Sequence, residues 1–270
     1  MRHRRCQGTN DAIFPRILDF LPRHGAAAVL EAYFDESERA SGMFCVAGYA
    51  FAPHQARKFA KEWRRLFPNG FHMVEFAHRN GIFEGIEADE RDDLFARAVE
   101  TISERASVAV AVSCNVAEVN RHAIKGAAGY EHAYPLCCHL CMMGLCRYLD
   151  KAGSHAESIA YIFEAGNAFE NEARRFMLNV SKNDDLKTAY KHHSDSFVLK
   201  GDAVALESAD LLAWEWGKFK DETLDRALRP MRRSFREMLR KWPGRYKMHH
   251  VEEKHLSVYM EQIRGLGLTG

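Results

Sequence analysis

The sequence predicts an α/β domain with a mixed sheet flanked by helices. Three observations carry that expectation. Two apolar runs, residues 26–34 and 43–51, are separated by a short polar stretch, as in a β-hairpin. Strand-like runs then alternate with amphipathic or apolar segments long enough for helices. A basic, helical-looking stretch closes the chain. The expected organisation is an N-terminal extension over residues 1–25, an α/β domain over 26–221, and a basic helical extension over 222–270 packed on that domain.

The first run is apolar or small except at Glu31, which is the pattern of a buried strand. Asp35 and Glu36 follow where the run stops. Unpaired carboxylates are costly in a core, so acids at that point mark an edge where charge is wanted. Strand ends are also where open α/β sheets build their sites. A hairpin through residues 37–42 joins the second strand, 43–51. Pro53 sits near the start of a helix reaching about residue 67, closed by Pro68-Asn69-Gly70. Residues 71–76 read as short and extended.

A charged helix is expected over 88–104, with Leu94, Ala98 and Ile102 on one stripe. Residues 108–112 alternate Val and Ala, a strand. Residues 131–149 form a helix apolar almost all round, and therefore buried. The next strand, 159–163, ends at Glu164. A helix over 171–180, a short strand over 197–199 and a helix over 203–219 follow. Helical structure continues to about residue 241 with a break at Pro230, and a last helix covers 253–263.

Of the 270 residues, 47% are hydrophobic and 28% charged, the balance of a globular chain that can bury a sizeable core. No run of eighteen apolar residues occurs, which argues against a membrane span. The basic start, Met1-Arg2-His3-Arg4-Arg5, lacks the apolar core of a signal peptide. Seven cysteines, an odd count, then suggest reduced thiols and the cytoplasm. Net charge is only +1, yet residues 218–247 carry eleven Lys/Arg against four Asp/Glu. Such a block is either a phosphate-holding surface or a solvated helix face.

Glu207 and Asp210 are three apart in the 203–219 helix and share one face. Leu206, Ala209, Leu212, Ala213 and Trp216 supply an apolar side that would hold the helix on the sheet. Two such acids beside Asp35, Glu36 and Glu164 would repel one another unless a cation sat between them. An all-oxygen ligand set suits Mg²⁺ or Mn²⁺. A lone acid at a strand end is usually a solvated turn residue, so the joint placement carries the weight.

The motifs resemble a known family. Tyr33-Phe34-Asp35-Glu36-Ser37 with Phe44-Cys45-Val46-Ala47-Gly48 looks like the opening hairpin of the family called domain of unknown function 3800. Phe71-His72-Met73-Val74-Glu75-Phe76 is similar to its histidine segment, and Ile162-Phe163-Glu164 to its central acidic strand end. Leu206-Glu207-Ser208-Ala209-Asp210-Leu211-Leu212-Ala213 is similar to its closing helix. The resemblance covers roughly residues 28–219, in order. It implies a ribonuclease H-like fold and metal-binding acids at Asp35, Glu164 and Asp210, with Glu36 or Glu207 as a fourth. This chain departs from the pattern at Glu38, where the family usually has Gly, and at Glu207, where it usually has Gln. The first departure suggests a longer turn; the second adds charge beside the site.

His72 would orient a water, shuttle a proton or contact phosphate, or else be a histidine hydrogen-bonded at the core's edge. His132, Cys137, Cys138, His139, Cys141 and Cys146 lack the paired short spacings of a zinc site and read as a core helix. His192-His193 and His249-His250 read as surface residues. Neither phosphate-binding glycine loop occurs, nor a G-x-S-x-G elbow, which disfavours nucleotide-dependent kinases, dinucleotide dehydrogenases and serine hydrolases.

The leading expectation is a divalent-metal-dependent nuclease acting on nucleic acid, DNA or RNA. Asp35, Glu36, His72, Glu164, Glu207 and Asp210 form its catalytic set, with Asp35, Glu164, Glu207 and Asp210 as ligands of Mg²⁺ or Mn²⁺. Arg229, Arg232, Arg233, Arg236, Arg240 and Lys241 would grip the backbone, with Trp242 and Tyr246 for stacking. Two alternatives stand beside it: a non-catalytic nucleic-acid-binding module of the same fold, and a metal-dependent hydrolase of a small phosphorylated substrate.

Overall fold

The computed structural model describes residues 28–123, 132–153, 156–224 and 230–265. The N-terminal extension of residues 1–25 and Arg229 lie outside them. Six strands form one mixed sheet: β1 (Ala28–Glu38), β2 (Met43–Phe51), β3 (Val108–Asn115), β4 (Ala156–Glu164), β5 (His192–Val198) and β6 (Tyr246–Val251). Their spatial order is β5-β4-β1-β2-β3-β6. β1, β2 and β3 form an antiparallel meander, β4 and β5 continue parallel to β1, and β6 is parallel to β3. This is an α/β arrangement consistent with a ribonuclease H-like fold.

Helices cover both faces. On one lie α1 (Pro53–Leu66), α2 (Met73–His78), α3 (Ala88–Arg105), α8 (Val204–Leu224) and α9 (Arg233–Lys241). On the other lie α4 (Val116–His122), α5 (Ala133–Lys151), α6 (Glu170–Lys182), α7 (Asp184–Ala189) and α10 (Glu253–Gly265). Side chains alternate across β1, so Leu30, Ala32 and Phe34 enter the α5 layer while Tyr33 packs with the α8 layer. Asp35 therefore points toward α8. Among the described residues no helix is long and apolar enough to cross a membrane.

β1 does not stop at Phe34. Its parallel pairing with β4 ends at Phe34↔Phe163, but the antiparallel pairing with β2 runs on through Asp35↔Ala47 to Glu38↔Phe44. Glu38 thus lengthens the strand, and the turn shrinks to residues 39–42, closed by Gly42 N donating to Arg39 O at 2.9 Å. Gly42 has φ +84°, a conformation that favours glycine. At Gly48 the reason for glycine is space: a Cβ there would lie 1.9 Å from Tyr33 O.

Three other expectations change. Residues 71–76 are not extended throughout; His72 ends the extended stretch and α2 begins at Met73. A ladder of rings leads there, Phe59–Trp63–Phe67–Phe71–Phe76, with centroids 4.7–5.3 Å apart, and fixes this segment against α1. The 222–270 segment is not simply a helical extension packed on the domain, because β6 joins the sheet itself. Its sequence, Tyr246-Lys247-Met248-His249-His250-Val251, has too little apolar alternation to announce a strand; the free edge of β3 makes it one. Trp242 is buried, edge-on to Tyr49 at 5.1 Å, and so offers no free stacking face, while Tyr246 packs partly buried against that core.

The thiols behave as small hydrophobes. Cys137, Cys138, Cys141 and Cys146 lie in the α5 core as free thiols, with their pKa values pushed up by burial. Of the two histidine pairs, His193 is exposed, as expected, whereas the other three residues are half-buried and hydrogen-bonded. His192 bonds Asp195 at 2.9 Å, His249 bonds Tyr259 at 2.9 Å and His250 bonds Ser113 at 3.0 Å.

Candidate metal centre

Two acids stand side by side where the parallel pairing of β1 and β4 ends. The register Phe34↔Phe163 makes Asp35 and Glu164 the next residues on β1 and β4. After β5, a 3-10 turn, Lys200–Asp202, brings Lys200 over them. α8 then delivers Asp210 from its first half.

These four residues form one cluster. Lys200 Nζ lies 2.9 Å from Asp35 Oδ2, 3.2 Å from Glu164 Oε2 and 3.2 Å from Asp210 Oδ2. No two of the three carboxylate oxygens can then be further apart than about twice such a contact. Asp210 is held in place by the Met73 amide, which donates to Oδ2 at 2.8 Å. Asp35 Oδ1 accepts from the amide of Glu36 at 2.7 Å.

Asp35 is only 2% exposed, and its Oδ2 has no hydrogen-bond partner. Lys200 comes close to that oxygen, but off the directions a hydrogen bond requires. Burial above all, then a hydrogen bond with Glu164 and the charges of Asp210 and Glu164, hold the Asp35 carboxyl well above its ordinary range, against the pull of Lys200. On Lys200 the largest single effect, burial, disfavours the charge. Asp35, Asp210 and Glu164 together outweigh it and keep the ammonium charged.

Glu36 enters the cluster too. Carboxylate oxygens of Asp35, Glu36 and Glu164 all lie within 4.8 Å of one another. Asn167 Nδ2 donates to Glu36 Oε1 at 3.1 Å, yet burial still raises the Glu36 pKa to about 7. Asp35, Glu36 and Glu164 thus form one group that could hold a cation, beside the ammonium that Asp35 and Glu164 share with Asp210. An orphaned buried carboxylate oxygen and an all-oxygen donor set fit a hard divalent cation. Glu164 keeps about 21% of its side chain exposed, enough to give the cluster an opening to solvent.

No protein-family model matches this chain, and neither does any curated protein.

Two expected members stand apart. Glu207 is buried and turned to α1, where Trp63 Nε1 donates to its Oε2 at 2.7 Å. Sharing a helical face with Asp210 was correct, but at that position the face meets Trp63 rather than the cluster. Burial raises its pKa, with the Trp63 hydrogen bond working against the rise. His72 is brought near by its neighbour Met73, but its side chain is exposed and bonds no described residue.

The basic residues lie along a groove of about 650 Å³ between α2, α3 and α9, lined by Met73 and Phe76 and by Arg232, Arg233, Arg240 and Lys241. Met73 links this groove to Asp210. Arg232 stacks over the Trp214 ring at 4.5 Å, Arg240 pairs with Glu237 at 2.8 Å and Lys241 with Glu100 at 2.9 Å. Arg233 and Arg236 are exposed and make no ion pair with a described residue. Sequence reasoning missed Lys200 altogether. Its signal was a lysine between a strand and the acid-bearing helix, which returns it to the edge carrying the other acids.

Proposed function

We propose that this protein is a divalent-metal-dependent nuclease, hydrolysing phosphodiester bonds with an acid cluster on a ribonuclease H-like sheet. One observation carries the reading: Asp35, Glu36 and Glu164 bring carboxylate oxygens within 4.8 Å of one another, and Asp210 meets the same Lys200 ammonium as two of them. The motif resemblance to the domain of unknown function 3800 family supports it. A pair of Mg²⁺ or Mn²⁺ ions, when bound, would supply an activated water and charge stabilisation at the leaving oxygen.

The chain's own residues do the rest. Asp35, Glu36 and Glu164 would hold a cation, and Asp210 stands beside them across Lys200. Met73 keeps Asp210 from rotating away. Glu207 holds α8 against α1 through Trp63 and acts as a positioning residue. Arg233 is free to meet phosphates along the groove, and Arg236 lies exposed on the same helix outside its lining. Arg240 and Lys241 can exchange their exposed acid partners for phosphate at little cost, since such pairs are worth only about 0–1 kcal/mol.

Lys200 favours a second reading. An ammonium already centred on three carboxylates would suit a non-catalytic nucleic-acid-binding module that has replaced the metal with a lysine. The deciding experiment is cleavage of labelled DNA and RNA with Mg²⁺ or Mn²⁺. In the nuclease reading, Asp35→Asn and Asp210→Asn each lose activity by at least ~100-fold. Absent cleavage, or cleavage that persists equally in both variants, would sink it.

A further inference from the structure

Lys200 is the one cation among the described residues that contacts Asp35, Glu164 and Asp210 together. A metal ion held by Asp35, Glu36 and Glu164 would need two of the acids that the ammonium now engages, with its oxygens at about 2.0–2.6 Å. The two cations then compete for Asp35 and Glu164. The acids would also repel one another with neither present.

The surroundings of Lys200 allow it to leave. It sits on a short 3-10 turn whose preceding residue, Leu199, is 63% exposed. At the next residue, Gly201, a Cβ would meet nothing within 4 Å, so the turn borders open space. A lysine reaches through a flexible four-carbon stem and can withdraw its charge by changing rotamers alone. The contact it would leave is an ion pair: Asp35 Oδ2 is buried and lies 2.9 Å from Nζ.

We infer that Lys200 is a resident counter-ion, holding the acids together in the metal-free protein and giving up its place when a divalent cation binds. This rests on the metal-dependent reading above. Lys200 is on this account a positioning residue, not a ligand. It lowers apparent metal affinity and preserves the geometry that the metal needs.

Two measurements on the full chain test it. In the wild type, acylation of Lys200 followed by mass spectrometry is expected to rise severalfold on saturation with Mn²⁺, while the other lysines stay constant. Calorimetry is expected to show Lys200→Met binding Mn²⁺ about tenfold or more tightly than wild type, a gain of roughly 1.4 kcal/mol or more. The same variant should melt lower in EDTA and regain its loss with Mn²⁺. Should Lys200→Met fail to fold without metal, the labelling of wild type still decides. Unchanged Lys200 labelling at Mn²⁺ saturation, or equal affinity in the two proteins, overturns the inference while leaving the metal reading intact. No Mn²⁺ binding by either protein overturns both, whereas binding by Lys200→Met alone supports the inference strongly.

Discussion

Asp35 Oδ2 and Asp210 Oδ2 lie on either side of a shared ammonium, 2.9 and 3.2 Å from Lys200 Nζ. One is carried by the central strand and is nearly sealed from water; the other is carried by a helix and anchored by a main-chain amide. Two carboxylates so placed oppose each other, and a single positive charge must also serve Glu164.

Replacing one of these acids by its neutral amide should therefore not weaken the metal-free protein. Asp35→Asn is expected to melt no lower than wild type in EDTA and to lose the thermal shift produced by Mn²⁺. Differential scanning calorimetry with and without Mn²⁺ reads both effects. A fall of several degrees in EDTA would mean that the Asp35 charge is needed by the fold rather than by a metal.

Proton release should accompany metal binding. Burial raises Glu36 to about 7 in the metal-free protein, and Asp35 is raised as well. A raised carboxyl contributes stability that is complete below its ordinary pKa near 4.5 and is lost as pH climbs through about 7. A ligating carboxylate must be ionised, so Mn²⁺ affinity should increase between pH 6 and 8. The check is calorimetry in buffers of differing ionisation heat. Binding heats that ignore the buffer would exclude protonated Glu36 and Asp35 as participants.

Acid should weaken the fold at His139 through the opposite sign. Burial foremost, and the Arg147 charge, lower its pKa to about 4, and its Nδ1 lies 2.7 Å from Tyr190 Oη. The unfolded chain takes the proton first, so this contribution is present above pH 6.5 and drains away as pH falls through about 4. The full loss is roughly 3 kcal/mol. Urea unfolding of wild type and His139→Gln across that window should show a flatter profile for the variant. Parallel profiles would discount His139.

Glu207 should tolerate the residue that the resembled family carries there. Glu207→Gln retains an acceptor for Trp63 Nε1 while removing a buried charge, and is expected to hold or raise stability without altering Mn²⁺ affinity. Trp63→Phe removes the donor and should cost about 1–3 kcal/mol. Denaturant midpoints measure both. Loss of Mn²⁺ binding in Glu207→Gln would restore Glu207 to the ligand set.

The layered α/β order was legible because it depends on near neighbours in the chain. Residues 43–51 alternate nothing polar into a buried strand, Pro53 opens α1, and the apolar stretch before Glu164 ends where β4 ends. Asp35 and Glu164 were legible for the same reason, as acids directly after apolar runs, and Asp210 through its three-residue spacing from Glu207 on an apolar helix. α4, α7 and β6 were not, because their sequences are short and mixed and take their structure from what they pack against.

Sequence by itself determined which residues are apolar enough to build the sheet and which acids lie at its interruptions. Only the tertiary structure decided which of those acids meet. Strand register set Asp35 beside Glu164, and the Trp63 indole drew Glu207 away from Asp210's company. The turn after β5 placed Lys200 at their centre, and pairing with β3 turned a basic tail into β6. The physical reason is range. Periodicity and propensity act over a few residues, whereas charge convergence is set by contacts between residues far apart in the chain.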